Sequence, residues 1–120
     1  MAEPKTILVI DDDSDIHFFC KSVLEAEGFR VLTAASGESG LALARTAKPD
    51  LIILDIMMER IDTGYSVAEK LGREVPILMF SSMLNPSDET FDADTAPFSD
   101  VVRKPIEPET LLRKVRKLLV

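Results

Sequence analysis

With 120 residues, 46% of them hydrophobic and 29% charged, the chain has the size and composition of one folded domain spanning residues 1–120. Twenty-one acidic residues against fourteen basic ones give a net charge of -7, which repels phosphate backbones and argues against nucleic-acid binding by this chain. A single cysteine excludes an internal disulfide, and neither a membrane-spanning run nor a signal peptide is visible, so we expect a cytoplasmic protein.

Apolar runs that end at polar residues recur along the chain and predict strands buried in a sheet. They occupy residues 6–10, 30–34, 51–55, 75–82 and 100–104. The run at 51–55 is the clearest, because four consecutive apolar residues precede Asp55 and no polar residue alternates with them. Such a run is typical of a strand covered on both faces of a parallel sheet, and Asp55 then lies at its carboxyl end.

Amphipathic segments between the strands predict helices. They occupy residues 14–27, with Asp13 or Ser14 as the cap, 36–47, capped by Ser36, 64–72, and a last segment that opens at Pro108. In the first helix Cys20 belongs to the apolar stripe and is expected in the core, whereas His17 and Phe18 are expected to point to solvent. Residues 83–100 are acidic and interrupted by proline, which predicts at most a short helix there.

The alternation of strands and helices predicts an α/β fold, a parallel sheet with right-handed crossovers and helices on both faces. Parallel strands end on the same edge of the sheet, so polar residues that follow different strands should meet there although they are remote in sequence. The residues at these strand ends are Asp11, Asp12, Asp55, Ser81 and Lys104.

Three carboxylates in so small a space repel one another unless a cation binds or one carboxyl takes up a proton. Oxygen ligands without histidine or cysteine favour Mg²⁺ or Mn²⁺ over zinc. An ionised Asp55 at the tip of a rigid strand is suited to act as a nucleophile toward phosphorus. Lys104 and the Ser81 hydroxyl would then stabilise the oxygens of the phosphoryl group.

Each of these residues has a simpler interpretation when it is taken alone. The three acids at 11–13 could form a solvated turn that caps a helix, Lys104 could be a surface lysine, and Ser81 could be a hydroxyl without a role, with Ser82 as its competitor. The combination of acids, hydroxyl and lysine at successive strand ends favours the chemical interpretation, because their common position is unexpected for unrelated surface groups.

The chain resembles, over its whole length, the receiver domain of two-component response regulators, of the single-domain type found in chemotaxis. The similarity is carried by residues 7–12, 50–58 and Lys104-Pro105. It implies a flavodoxin-like, doubly wound sheet of five strands in the order 2-1-3-4-5. It further implies that Asp55 is the phosphorylated residue, that Ser81 is the switch hydroxyl and that Lys104 contacts the phosphoryl group. The metal ligands that it implies for Mg²⁺ are Asp11, Asp12, Asp55 and the carbonyl of Met57.

The resemblance also implies partners. A histidine kinase or a histidine phosphotransfer protein would supply the phosphoryl group, docking near His17 and Phe18, and a protein target would receive the signal, so the chain is expected to be a switch and not a metabolic enzyme. Two alternatives stay open. One is a phosphatase with an aspartyl nucleophile, which is disfavoured because Met57 stands where a second acid would act. The other is an interaction module that is never phosphorylated, although its metal acids would be expected to be missing.

Three departures from the family pattern affect the readout of the signal. Glu59 replaces a usual proline and Thr63 resembles an insertion in the loop after Asp55. Val101 stands where an aromatic switch residue is frequent, so rotation of an aromatic ring cannot report phosphorylation at that position. The irregular stretch 83–100 replaces a regular helix.

Overall fold

The computed structural model describes residues 4–55, 70–71, 75–81, 100–103 and 105–119. Five strands lie within these ranges: β1 (Thr6–Ile10), β2 (Arg30–Ala34), β3 (Leu51–Asp55), β4 (Ile77–Ser81) and β5 (Asp100–Arg103). They form one sheet in the order β2-β1-β3-β4-β5, and every neighbouring pair is parallel. The predicted α/β architecture and strand order are therefore confirmed.

Three helices are described from end to end: α1 (Ser14–Glu25), α2 (Gly37–Ala47) and α3 (Pro108–Leu118). Asp13 caps α1 by accepting a hydrogen bond from the Asp15 amide, and Ser36 caps α2 in a reciprocal arrangement with Ser39. The proline at the start of α3 needs no hydrogen-bond partner there because it has no N–H. None of the helices in the described part of the chain has the length and apolar character that crossing a membrane requires.

The sheet is covered on both faces, as its apolar strands require. Along β1, Leu8 and Ile10 pack in the cluster that contains Ala44 of α2, whereas the alternate residues Ile7 and Val9 pack in a second cluster. This second cluster includes Cys20 and Leu24 of α1 and Leu111 and Val115 of α3. Helices α1 and α3 therefore lie on one face and α2 on the other, and Cys20 is a core residue as predicted.

The fourth strand begins two residues later than the sequence pattern predicts. Pro76 has no N–H to donate to a strand ladder, and the Val75 amide donates to the carbonyl of Leu71, which is helical. Ladder pairing therefore starts at Ile77, opposite Ile52.

Several predictions fall outside the described residues. Of the helix predicted at 64–72 only Lys70 and Leu71 are described, and both are helical. The loop with Met57, Glu59 and Thr63, the segment 82–99 and the residue Lys104 are not described.

Candidate functional site

Adjacent strands bring Asp11 and Asp55 together. In the β1–β3 ladder Val9 lies opposite Ile53 and Ile10 opposite Leu54, so the next residues, Asp11 and Asp55, face each other at the carboxyl edge. The two-residue period of a strand puts them on the same face as Val9 and Ile53, which is the face covered by α1. Asp11 is 1% exposed and Asp55 6% exposed, so two carboxyl groups are buried at this edge.

A third carboxylate completes a compact cluster. Asp12 is exposed, and one carboxylate oxygen from each of Asp11, Asp12 and Asp55 lies within 4.8 Å of the others. Three like charges at this distance favour binding of a cation, and hard oxygen donors alone suit a divalent ion such as Mg²⁺. Since Asp12 is exposed while Asp11 and Asp55 are buried, the cluster opens to solvent on the Asp12 side.

The loop that carries two of these acids is held by hydrogen bonds. The Asp11 amide donates to the carbonyl of Ala34 at the end of β2, at 3.0 Å. The Asp13 amide donates to Oδ1 of Asp11 at 2.9 Å, and Oδ1 of Asp13 accepts from the Asp15 amide at 2.8 Å. Of the two caps that the sequence allows, Asp13 is thus the one that caps α1, and it lies outside the carboxylate cluster.

His17 does not point into solvent, and that expectation was wrong. The side chain is half-buried, and its Nε2 lies 2.6 Å from the carbonyl oxygen of Asp11, six residues earlier in the chain. Helical periodicity could not reveal this contact, because it joins a helix side chain to the main chain of the preceding loop. Phe18, by contrast, is exposed as expected, with 75% of its surface accessible.

The remaining predicted site residues are described only in part. Ser81 is the last residue of β4, one position beyond Phe80, which lies opposite Asp55. Its backbone therefore ends at the same edge as the carboxylates. The side chain of Ser81, and the residues Lys104 and Met57, lie outside what the structure describes, so their predicted positions at the site stay predictions.

The strand order, the placement of the helices and the acidic edge of the sheet agree with the family to which the sequence matches. The family model of the response regulator receiver domain matches residues 7–116 of the chain. The chain belongs to this family. Receiver domains are the regulatory part of two-component systems, so the resemblance drawn from the sequence is confirmed.

This receiver domain is similar in sequence to proteins named as transcriptional regulators. It is 36% identical over 118 residues to the alkaline phosphatase synthesis transcriptional regulatory protein PhoP of Bacillus subtilis, covering 96% of this chain and 48% of PhoP. It is also 36% identical, over 118 residues, to the DNA-binding dual master transcriptional regulator RpaA of Synechocystis, covering 94% of this chain and 48% of RpaA. The chain thus spans about half the length of the curated relatives it matches.

The fold also has a close counterpart of nearly the same length. The chemotaxis protein CheY4 of Vibrio cholerae superimposes with a TM-score of 0.85 at 29% identity, over 97% of this chain and 99% of CheY4. The flavodoxin-like fold expected from the sequence is therefore confirmed for this receiver domain.

Proposed function

We propose that this receiver domain is a phosphoacceptor switch of a two-component phosphorelay and that Asp55 takes the phosphoryl group. The observation that carries the proposal is the cluster of Asp11, Asp12 and Asp55, whose oxygens meet at the carboxyl edge of the sheet. Of the three acids Asp55 is the best suited to this role, because it ends the central strand β3, which lies between β1 and β4. A nucleophile fixed on a rigid strand needs little reorganisation before it reacts.

The reaction is a phosphoryl transfer from a donor, either a phosphohistidine or a small acyl phosphate, to the Asp55 carboxylate. A carboxylate oxygen of Asp55 attacks phosphorus in line with the leaving group, and the new O–P bond forms as the P–N bond of a phosphohistidine breaks. The electron pair of that bond leaves with the imidazole, which takes a proton from water. With a small acyl phosphate as donor, a P–O bond breaks instead and a carboxylate leaves.

Charge neutralisation is the main requirement of this step. Asp11, Asp12 and Asp55, with the Met57 carbonyl, would hold a divalent cation, Mg²⁺ or alternatively Mn²⁺. When bound, such an ion offsets the negative charge of the carboxylates and of the phosphoryl oxygens. In this proposal Lys104 supplies a second positive charge and the Ser81 hydroxyl donates a hydrogen bond to a phosphoryl oxygen.

The product is a signal and not a released metabolite, so we class the chain as a switch and not as an enzyme. Phosphorylation of Asp55 adds negative charge at an edge that already carries three carboxylates, and this favours a different arrangement of the groups around it. A downstream protein would read that arrangement. DNA binding, which the name of RpaA states for that longer protein, is not proposed for the receiver domain itself.

The phosphoryl donor would be a histidine kinase or a histidine phosphotransfer protein that docks on α1. Phe18 lies in the second turn of this helix, close to the acidic loop, and exposes 75% of its surface. An exposed aromatic ring suits an apolar contact with a partner helix. His17 lies beside it in sequence, but its ring is turned toward the Asp11 carbonyl, so Phe18 carries the proposed contact.

The test is the intact mass of the protein after incubation with acetyl phosphate and MgCl₂. Wild type should gain the mass of one phosphoryl group, and Asp55→Ala should gain none. Asp13→Asn serves as a matched control, because it removes an acid of the same loop that caps α1 and does not belong to the cluster. An unchanged wild-type mass, or an equal gain in Asp55→Ala, would contradict the proposal.

A further inference from the structure

His17 makes a specific contact that the proposed reaction does not use directly. A carbonyl oxygen can only accept a hydrogen bond, so Nε2 of His17 carries the hydrogen and donates it to the Asp11 carbonyl at 2.6 Å. Asp11 is 1% exposed, so little water competes for its carbonyl. The sequence contains no other histidine.

The accepting carbonyl occupies a sensitive place in the acidic loop. It belongs to the peptide group that joins Asp11 to Asp12, and a peptide group is planar. Fixing the direction of the carbonyl therefore fixes the direction in which the chain enters Asp12. The other side of Asp11 is already held, because its amide donates to Ala34 of β2.

The carboxylate cluster needs such a constraint. Asp12 is the exposed member, and the charges of Asp11 and Asp55 push its carboxylate outward. Rotation of the Asp11–Asp12 peptide would let Asp12 leave the cluster. A hydrogen bond from α1 to that peptide opposes the rotation and keeps the three oxygens together before a cation arrives.

We propose that His17 is a positioning residue for the cation site: its Nε2–H holds the Asp11–Asp12 peptide so that Asp12 stays within ligand distance of Asp11 and Asp55. The inference rests on the proposed function of this cluster, since it assumes that the carboxylates bind a divalent ion. Its effect is on the affinity for the ion, because the hydrogen bond arranges ligands and touches no reacting atom.

The test compares the Kd for Mg²⁺, measured by isothermal titration calorimetry with MgCl₂, among three substitutions of His17. In His17→Gln the amide nitrogen stands as many bonds from Cα as Nε2 does, so it can donate to the same carbonyl. In His17→Asn the amide is one carbon shorter and does not reach it. His17→Leu has no donor. We expect Kd to rise about five- to tenfold in the Asn and Leu variants and to change less than about twofold in the Gln variant.

The control is Lys21→Leu, an exposed position one helical turn further along α1, which should leave Kd unchanged. The rate of labelling by acetyl phosphate should follow the same order at low MgCl₂ and converge at saturating MgCl₂. A wild-type Kd in His17→Leu, or failure of Gln to do better than Asn, would overturn the role of His17 alone. Absence of saturable Mg²⁺ binding in wild type would overturn the proposed cation site together with it.

A measurement on the wild-type protein covers the case of a variant that does not fold. The ¹⁵N spectrum of the single imidazole should show a proton on Nε2 that exchanges slowly with water. A neutral ring with its proton on Nδ1 would exclude donation to the Asp11 carbonyl and overturn the proposal.

Discussion

Asp12 is the exposed member of the carboxylate cluster, so it can be neutralised without leaving a buried group unpaired. Without a cation, the charge of Asp12 is repelled by Asp11 and Asp55, whose oxygens lie within 4.8 Å. Asp12→Asn removes that repulsion and should stabilise the metal-free protein by about 1 kcal/mol. Urea unfolding in the presence of EDTA measures this change.

The control for Asp12→Asn is Asp13→Asn, which loses the same charge from the same loop and keeps a side-chain oxygen for the helix cap. It should change stability less. Equal effects of the two substitutions would mean that the general negative charge of the molecule, and not the cluster, determines the result.

Phe18 should matter for a protein donor and not for a small one. Phe18→Ala removes an exposed ring without opening a cavity, so the free energy of unfolding should hardly change. Transfer from a phosphorylated histidine kinase should slow about tenfold, because aromatic residues dominate protein interfaces. Labelling by acetyl phosphate should be unaffected. Ser22→Ala, one turn along α1 and also exposed, is the control, and loss of both activities in Phe18→Ala would contradict docking.

The carboxylates could be found from the sequence because each follows an apolar strand, and parallel strands end together. The proximity of Asp11 and Asp55 could be predicted without any distances, from knowing which strands lie next to each other. His17 could not be placed this way. The apolar stripe of α1 describes how the helix faces the core. The His17 ring instead bonds to a carbonyl of the loop before the helix, about which helical periodicity carries no information.

Helix α2 lies unusually close to β1, and a glycine makes this possible. A Cβ built on Gly40 would lie 2.5 Å from Cδ1 and 2.8 Å from Cγ1 of Ile10, which is fully buried. Alanine is the better helix former by about 1 kcal/mol, but the overlap outweighs that gain. We expect Gly40→Ala to lower the free energy of unfolding by about 1–2 kcal/mol, measured by urea denaturation.

A double-mutant cycle identifies the cause of the Gly40 effect. Ile10→Val removes the Cδ1 atom that a new methyl group at residue 40 would meet first. Gly40→Ala should therefore destabilise the Ile10→Val protein less than it destabilises wild type. Additive effects would show that the loss comes from somewhere other than this contact.

Helix and strand limits were predictable where one residue type decides them. Asp13 and Ser36 cap α1 and α2, because their side chains accept hydrogen bonds from amides of the first helical turn. Pro76 cannot donate to a strand ladder, so ladder pairing starts at the next residue, Ile77. The apolar run conceals this, because it begins before the proline. The apolar run therefore predicts the fourth strand but not the residue at which its ladder begins.

The architecture as a whole followed from the alternation of strands and helices, since parallel neighbours need crossovers and crossovers cover both faces. The strand order came from a resemblance, because apolar runs alone do not say which strand is central. The structure gives a physical reason why β1 and β3 carry the acids. They are adjacent inner strands, so their ends are flanked on both sides by other strands of the sheet.

The charge of -7 allows a test that separates general screening from a specific site. NaCl should raise the free energy of unfolding because it screens repulsion within the compact molecule. At equal ionic strength MgCl₂ should raise it further, by about 1.4 kcal/mol when the free ion is at ten times its Kd, because the ion binds the folded cluster and not the unfolded chain.

This additional stabilisation by MgCl₂ should disappear in Asp12→Asn, which is still strongly acidic and therefore keeps the response to NaCl. Thermal unfolding in the two salts measures both effects in the same protein. If the NaCl and MgCl₂ curves of wild type coincide at matched ionic strength, the three carboxylates are a source of repulsion and not a binding site. If they separate in wild type and coincide in Asp12→Asn, the exposed carboxylate is a ligand, because a screening ion would not distinguish one aspartate among twenty-one acidic residues.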